Sequence, residues 1–141
     1  MVMTVQVTFD CASPHPLAEW WAELLEWSVE PQDAGFIQRM VDEGHATAEE
    51  TTIHDGRLVW RTGAAIVPPD AVRAPRILFV HVPEGKVVKN RVHLDLRPDT
   101  PDLDALRMRA AAKGAVAIGE GRQGPHSWVV FTDPEGNEFC L

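Results

Sequence analysis

Two stretches of sequence decide the fold, VQVTFDC at residues 5–11 and NRVHLDLR at residues 90–97, because apolar and polar side chains alternate in both. This period of two predicts a strand with one buried and one open face. A capping residue and a proline follow each stretch, Ser-Pro at residues 13–14 and Thr-Pro at residues 100–101. Such a pair predicts the start of a helix. The chain therefore begins the same strand-then-helix unit twice.

Apolar side chains recur at helical spacing behind both starts, and short strand-like runs follow each helix. Leu17 and Leu24 carry the buried stripe of the first helix, and Leu103 and Leu106 carry that of the second. The strand-like runs are ETTIH, RLVWR, AAIV and PRILFVHVP in the first half, then AVAIG, SWVVF and EFCL in the second. Turn residues separate these runs, and each half is predicted as a βαβββ module, with one more run in the first half than the three that such a module has after its helix.

The predicted fold class is therefore α+β, with residues 1–141 forming a single domain made of two βαβββ modules. Module one spans residues 1–86 and module two spans residues 87–141. Residues 33–50 have no counterpart in module two. They are predicted as an inserted helical segment that folds beside the ligand site as a partial lid.

The strand that opens module two has different side chains on its two faces. Val92 and Leu94 are predicted to pack beneath a helix over residues 101–113. His93 and Asp95 then point to the opposite face. Polar groups of this kind, opposite a helix-packed face, indicate either solvent or a site.

Composition limits the class of function. The 141 residues carry 13 Lys and Arg against 21 Asp and Glu, a formal net charge of −8, and the scattered basic residues argue against a nucleic-acid partner. No apolar run approaches the roughly 20 residues of a membrane-spanning helix, and the first ten residues lack a basic signal-peptide start. Cys11 and Cys140 are too few for a disulfide framework. A cytoplasmic protein without a membrane partner is expected.

Three stretches of the sequence resemble stretches of a known family, and they occur in the order and with the spacing found in that family. They are FDCASPHPLAEWWAELLEW at residues 9–27, VPEGKVVKNRVHLDLR at residues 82–97 and TDPEGNEFCL at residues 132–141. Together they resemble the vicinal oxygen chelate superfamily of glyoxalase-like domains, in its bacterial glyoxalase and bleomycin-resistance group. The resemblance implies a cupped, partly closed sheet with helices on the outside, a small-molecule ligand in the cup, and a homodimer.

The resemblance also implies a divalent ion such as Zn²⁺, Ni²⁺, Fe²⁺ or Mg²⁺, held by inward side chains of four strands. Gln6 and His93 stand at two of these positions, and Cys140 replaces the glutamate of a third. Phe79 or His81 stands at the fourth, so both carboxylates are lost and a hard ion finds little negative charge. The sequence favours a chain without a tightly held ion or an organic cofactor. Gln6, His93 and Cys140 are the metal-ligand candidates, and His81, His93 and Cys140 form an alternative zinc set.

The other candidates are polar or aromatic side chains on the predicted open faces. Asp95 and Glu138 are the candidate catalytic carboxylates, because burial would raise their pKa toward that of a general base. The substrate-binding candidates are Gln6, Thr8, Trp60, His81, His93 and Trp128. A structural alternative, in which His93 only bonds Asp95, stays open. The histidines expected in solvent are His15, His45, His54 and His126.

Two functions of different classes fit these patterns. The first is a protein that binds a small organic molecule and performs metal-assisted lyase, isomerase or dioxygenase-type chemistry. The second is a binding protein without catalysis, similar to the drug-sequestering members of the superfamily, in which Trp60 and Trp128 stack on the ligand. A domain that acts mainly through dimerisation is the third alternative.

We expect no efficient glyoxalase activity on the hemithioacetal of methylglyoxal and glutathione. That reaction needs a Lewis-acidic ion and a base, and the resemblance places both roles on carboxylates that are Phe79 or His81 and Cys140 here. Assays with Ni²⁺, Zn²⁺ and Mg²⁺ in turn should give kcat/KM below about 10⁴ M⁻¹s⁻¹. A higher value with any of these ions would contradict the assignment of these positions.

Overall fold

The computed structural model describes residues 1–70, 74–99 and 101–141 and confirms the α+β class. The helices in these residues are α1 (Pro14–Leu25), α2 (Ala34–Asp42) and α3 (Leu103–Ala112), with a 3₁₀ turn at Ala48–Glu50. The strands are β1 (Val7–Cys11), β2 (Ser28–Val29), β3 (Thr51–His54), β4 (Arg57–Trp60), β5 (Gly63–Val67), β6 (Ile77–His81), β7 (Leu94–Asp95), β8 (Val116–Gln123), β9 (His126–Thr132) and β10 (Glu138–Cys140). Among the helices described, none has the length and apolar character needed to cross a membrane. The predicted helix start at Thr100 lies outside the described residues.

The first of two compact units, Met1–Gly85, is built on a four-stranded sheet in the order β1-β6-β5-β2. β1 and β6 are parallel, so Phe9 lies beside Phe79 with ring centroids 5.3 Å apart. α1 packs on this sheet and brings the buried Trp21 edge-on to Phe9 at 5.5 Å. These aromatic contacts form the core of the unit.

The strand composition of this sheet differs from the sequence prediction. The hairpin β3–β4, predicted as part of the module's sheet, forms a separate two-stranded sheet. Its place is taken by β2, which directly follows α1 and pairs antiparallel with β5. A two-residue strand carries no alternation, so the sequence pattern does not reveal it. The segment between β2 and β5 is accordingly longer than the predicted insertion 33–50.

α2 confirms a helix within residues 33–50. Asp33 caps it by accepting a hydrogen bond from the backbone N–H of Phe36 at 3.0 Å. Ile37 is buried and α2 contacts β4, so the apolar side of this helix rests on the hairpin. Its role as a lid stays a prediction.

Two histidines connect the hairpin β3–β4 to α1 through hydrogen bonds. The prediction that these two histidines lie in solvent is wrong. His15 of α1 is buried and its Nε2 donates to the carbonyl oxygen of Trp60 at 2.8 Å. His54 of β3 stacks on His15 with ring centroids 4.9 Å apart, and its Nε2 lies 2.5 Å from Oε1 of Glu19. These partners are distant in sequence, so local polarity does not reveal them.

The second unit, Lys86–Leu141, has a four-stranded sheet in the order β7-β10-β9-β8. β10 is parallel to β7 and antiparallel to β9, and the buried rings of Phe131 and Phe139 stack at 5.8 Å. α3 is joined to the end of β10 by Arg107, whose Nη2 donates to the carbonyl oxygen of Leu141 at 3.0 Å. This unit has the predicted strand–helix–three-strand order.

The strand that opens the second unit is shorter than predicted. β7 replaces the expected strand over residues 90–97, and Val92 is 83% exposed, so the prediction that it packs beneath the helix is wrong. Leu94 is half-buried. The backbone N–H of Asn90 donates to Oε2 of Glu138 at 3.0 Å, so the chain before β7 bonds a carboxylate where a ladder was expected.

Replacing His54 with alanine is expected to lower the free energy of unfolding by about 1–2 kcal/mol. The variant loses a partly buried hydrogen bond to the Glu19 carboxylate and the ring contact with His15. Urea denaturation measures this loss. His45→Ala is the control, because its side chain is 66% exposed and should change stability little. A His54→Ala variant as stable as the parent would contradict the prediction.

Candidate functional site

Strand alternation gives the sheet of the second unit a packed face and an open face. Phe131 and Phe139 share the packed face, because they pair directly across β9 and β10. Val130 and Cys140 pair in the same way on the opposite face, and Asp95 pairs with Cys140 from β7. Two of the candidate residues from the sequence analysis, Asp95 and Cys140, therefore lie on the open face.

A cavity of about 760 Å³ lies on this open face. Its size is within the roughly 300–1,000 Å³ typical of small-molecule sites. Its apolar wall comes from Leu96, Leu103, Trp128, Val130 and Leu141. Its charged and imidazole groups are Lys89, His93, Asp95, Arg97, His126 and Glu138. The predicted ligand contacts His93 and Trp128 thus border one cavity.

Trp128 lies across β8 because there is a glycine beneath its ring. Gly121 pairs with Trp128, and a Cβ at position 121 would stand 2.2–2.4 Å from three atoms of the indole. The φ of Gly121 is outside the left-handed region, so this glycine serves the close approach of the ring. Sequence reasoning missed Gly121. The available signal was glycine at alternate positions, 119 and 121, inside a strand.

His93, Asp95 and Cys140 form a cluster on this face. His93 Nδ1 is 3.0 Å from Asp95 Oδ1 and 4.0 Å from Cys140 Sγ, and ligand atoms of all three lie within 4.8 Å of one another. Burial raises the pKa of the Cys140 thiol, and the neighbouring Asp95 carboxylate raises it further. The thiol is therefore protonated at neutral pH. Of the predicted metal set, the cluster contains His93 and Cys140, with Asp95 in place of Gln6.

Glu138 anchors the segment that leads into β7. Its Oε1 lies 3.1 Å from Lys86 Nζ and its Oε2 accepts from the backbone N–H of Asn90 at 3.0 Å. Burial acts to raise the pKa of Glu138, but the hydrogen bonds from Asn90 and Lys86 outweigh burial and lower it. A carboxylate with a lowered pKa is a weak base. This geometry favours anchoring over proton transfer.

The turn at residues 133–137 orders the start of β10. Asp133 Oδ1 accepts from the backbone N–H groups of Glu135 and Asn137, both at 2.9 Å. Asn137 Oδ1 in turn accepts from the side-chain amide of Asn90 at 3.1 Å. The turn therefore holds β10 and the segment before β7 together.

The four candidates from the first half of the chain lie in the first unit. Gln6, just before β1, and His81 each make a hydrogen bond within that unit, at 2.7 and 2.9 Å. Trp60 is half-buried in the hairpin and Thr8 is exposed on β1. Their roles in ligand or metal binding stay predictions.

A family profile described as "glyoxalase-like domain" matches residues 6–141. No curated protein matches the sequence. The profile match covers the candidate residues of both units.

Solved structures share the fold at low identity. The fosfomycin resistance protein FosX from Mesorhizobium loti covers 100% of this chain and 90% of its own, with a TM-score of 0.62 and 12% identity. A mutant FosX from Listeria monocytogenes was solved in complex with Mn(II) and 1S,2S-dihydroxypropylphosphonic acid. Its alignment covers 100% of this chain and 91% of the FosX chain, with a TM-score of 0.65 and 10% identity. A glyoxylase/bleomycin resistance protein/dioxygenase domain from a Frankia species covers 99% and 95%, with a TM-score of 0.59 and 16% identity.

Glu138→Gln is expected to lower the free energy of unfolding by about 1–3 kcal/mol at neutral pH, because Lys86 and Asn90 lose their carboxylate partner. A lowered folded-state pKa stabilises the fold above the unfolded value of about 4.3, and this contribution is lost as the pH falls through the folded value. The difference between parent and variant should therefore be full at neutral pH and shrink in acid.

Urea denaturation at a series of pH values measures this difference. Glu120→Gln is the matched control, since Glu120 is exposed on β8 and its loss should change stability little at any pH. A stability difference for Glu138→Gln that is independent of pH would contradict the anchoring role.

Proposed function

Because this chain belongs to the glyoxalase-like domain family of the vicinal oxygen chelate superfamily, we propose that its second unit binds a small organic molecule on the open face of its sheet. The observation that carries this proposal is the cavity of about 760 Å³, bounded by Trp128 and aliphatic side chains. Concave apolar pockets with a few polar groups are the usual form of small-molecule sites. The fold alone would not carry the proposal, since one fold supports many functions.

The donor atoms around the cavity fit a zinc ion better than a hard ion. His93, Asp95 and Cys140 offer one nitrogen, one oxygen and one sulfur. This set suits Zn²⁺ and is poor in the oxygen ligands that Mg²⁺ and Mn²⁺ prefer. Zinc held by these three residues would supply Lewis acidity toward an oxygen atom of the ligand.

Metal-assisted lyase or isomerase chemistry is the second candidate function, and the same cluster is the observation that favours it. The groups around the cavity have partners of their own. The Asp95 carboxylate is bonded to His93, the Cys140 thiol is protonated, and Glu138 is a weak base. None of them is an activated base or nucleophile in this arrangement, which supports binding as the first candidate.

A cytoplasmic homodimer is part of this proposal. Cys11 and Cys140 are not joined in a disulfide, as is usual for cysteines of a reducing compartment. β8 is an edge strand of the second unit's sheet, and its Val116 and Ile118 are 58% and 55% exposed. Exposed apolar side chains on a sheet edge support pairing with a second copy. Sedimentation that gives a monomer at micromolar concentration would contradict the dimer.

Fragment screening by two-dimensional NMR tests the binding function. Compounds in the site are expected to shift the indole N–H signal of Trp128 and the backbone signals of β9 and β10. Trp128→Leu should weaken these compounds about tenfold, because it removes an aromatic wall. Trp27→Leu, in the first unit, is the matched control and should leave their affinity unchanged. A library in which no compound perturbs Trp128 would contradict the proposal.

Equilibrium dialysis against Zn²⁺ and Mn²⁺ tests the metal candidate. A functioning cluster is expected to retain one zinc per chain in preference to manganese, and His93→Ala should release it. His126→Ala removes an imidazole that lines the cavity outside the cluster, and this control should retain the zinc. Equal retention by His93→Ala and the parent would contradict the metal candidate.

A further inference from the structure

We propose that the preferred ligand of this cavity is a flat, conjugated carboxylate that stacks on Trp128 and directs its charge toward Arg97 and Lys89. The inference rests on the proposed function, because it names the chemical class of molecule that the same cavity takes. Two independent features carry it, the position of the indole ring and the balance of charge around the cavity.

The indole of Trp128 lies over the backbone of β8. The space above Gly121 is filled by the ring, whereas a Cβ at Gly119 on the same strand would meet nothing within 4 Å. The ring therefore rests on the sheet as a shelf, with one face on Gly121 and the other available to the cavity that it lines. A flat conjugated ligand gains from such a face about twofold to tenfold in affinity beyond apolar burial.

The carboxylates that line the cavity already have partners. Asp95 Oδ1 is 3.0 Å from His93 Nδ1, and Glu138 is paired with Lys86 at 3.1 Å. A cationic organic ligand would compete with His93 and Lys86 for these carboxylates.

Two cations of the lining have no carboxylate partner among the described residues. Arg97 makes no hydrogen bond or ion pair with any described side chain or backbone group, and Lys89 donates only to the carbonyl oxygen of Asn90 at 3.2 Å. An anionic group in the cavity would meet both cations without displacing an existing ion pair.

The net negative charge of the chain lies outside the unit that contains the cavity. Residues 86–141 carry eight Lys and Arg and eight Asp and Glu, so the formal charge of −8 resides in residues 1–85. The second unit is formally neutral by itself. Local attraction by Arg97 and Lys89 therefore acts without a repulsive net charge on their own unit.

Calorimetric titration with three matched probes tests the ligand class. The probes are 2-naphthoate, which is flat and anionic, 2-naphthamide, which is flat and neutral, and decahydro-2-naphthoate, which is anionic but saturated. 2-Naphthoate should bind about tenfold more tightly than the amide and about fivefold more tightly than the saturated acid. Equal affinities within either pair overturn the inference while the proposed function stands. The same holds if none of the three binds but other compounds shift Trp128.

The shelf is tested by two glycine variants of β8. Gly121→Ala should lift the ring and abolish the preference for 2-naphthoate over the saturated acid, whereas Gly119→Ala should keep it. Gly121 is a positioning residue, and this preference is a readout that a general loss of stability would not change. Trp128→Leu should abolish the same preference without altering β8, which covers a Gly121→Ala variant that does not fold. A preference that survives in Trp128→Leu overturns the role of the shelf.

The charge is tested by two arginine variants. Arg97→Gln should weaken 2-naphthoate about tenfold and leave 2-naphthamide unchanged. Arg91→Gln, at an exposed position outside the cavity lining, should leave both affinities unchanged. An equal loss for the acid and the amide in Arg97→Gln overturns the role of Arg97.

Discussion

The parallel pairing of β10 with β7 holds the parts of the candidate site together. The ladder consists of two residue pairs, one of which places Cys140 beside Asp95. So short a ladder is weak by itself, and Glu138 supports it by binding the backbone N–H of Asn90 upstream of β7. Without this contact, only the short ladder and its flanking backbone hydrogen bond would hold Asp95 against Cys140. The buried Glu138 carboxylate thus stabilises the arrangement of the site by anchoring the chain before β7.

Short apolar runs between turn residues made much of the second sheet predictable. The predicted runs AVAIG and SWVVF overlap β8 and β9, which have eight and seven residues and pair almost throughout. The capped start of α2 and the Asp-Pro-x-Gly-Asn turn before β10 depend on local hydrogen bonds, which residue type predicts well. β2 has two residues, too few to show any period. β7 keeps only two of the eight alternating residues 90–97, so tertiary contacts decide how much of an alternating stretch becomes strand.

Site residues were predictable from the sequence where the side chain itself has a distinctive chemistry. His93, Cys140 and Trp128 were marked in this way, and they line the cavity of the second unit. Gly121 has no side chain, and its role follows only from the position of a ring that is seven residues away. The anchoring contacts of Glu138 involve partners 48 and 52 residues distant, so the sequence around this carboxylate does not reveal them.

Cysteine at position 140 connects the metal chemistry of the family to the ligand proposed here. The resemblance implies a glutamate at this position, and a neutral thiol removes one negative charge from the open face of the sheet. Lys89 and Arg97 then face the cavity without a carboxylate partner among the described residues. A ligand that brings its own carboxylate would restore the missing charge. If Cys140 stands at a metal-ligand position, as the resemblance implies, the same residue would weaken a site for hard ions and favour an anionic organic molecule, and stacking on Trp128 would select the flat ones among them.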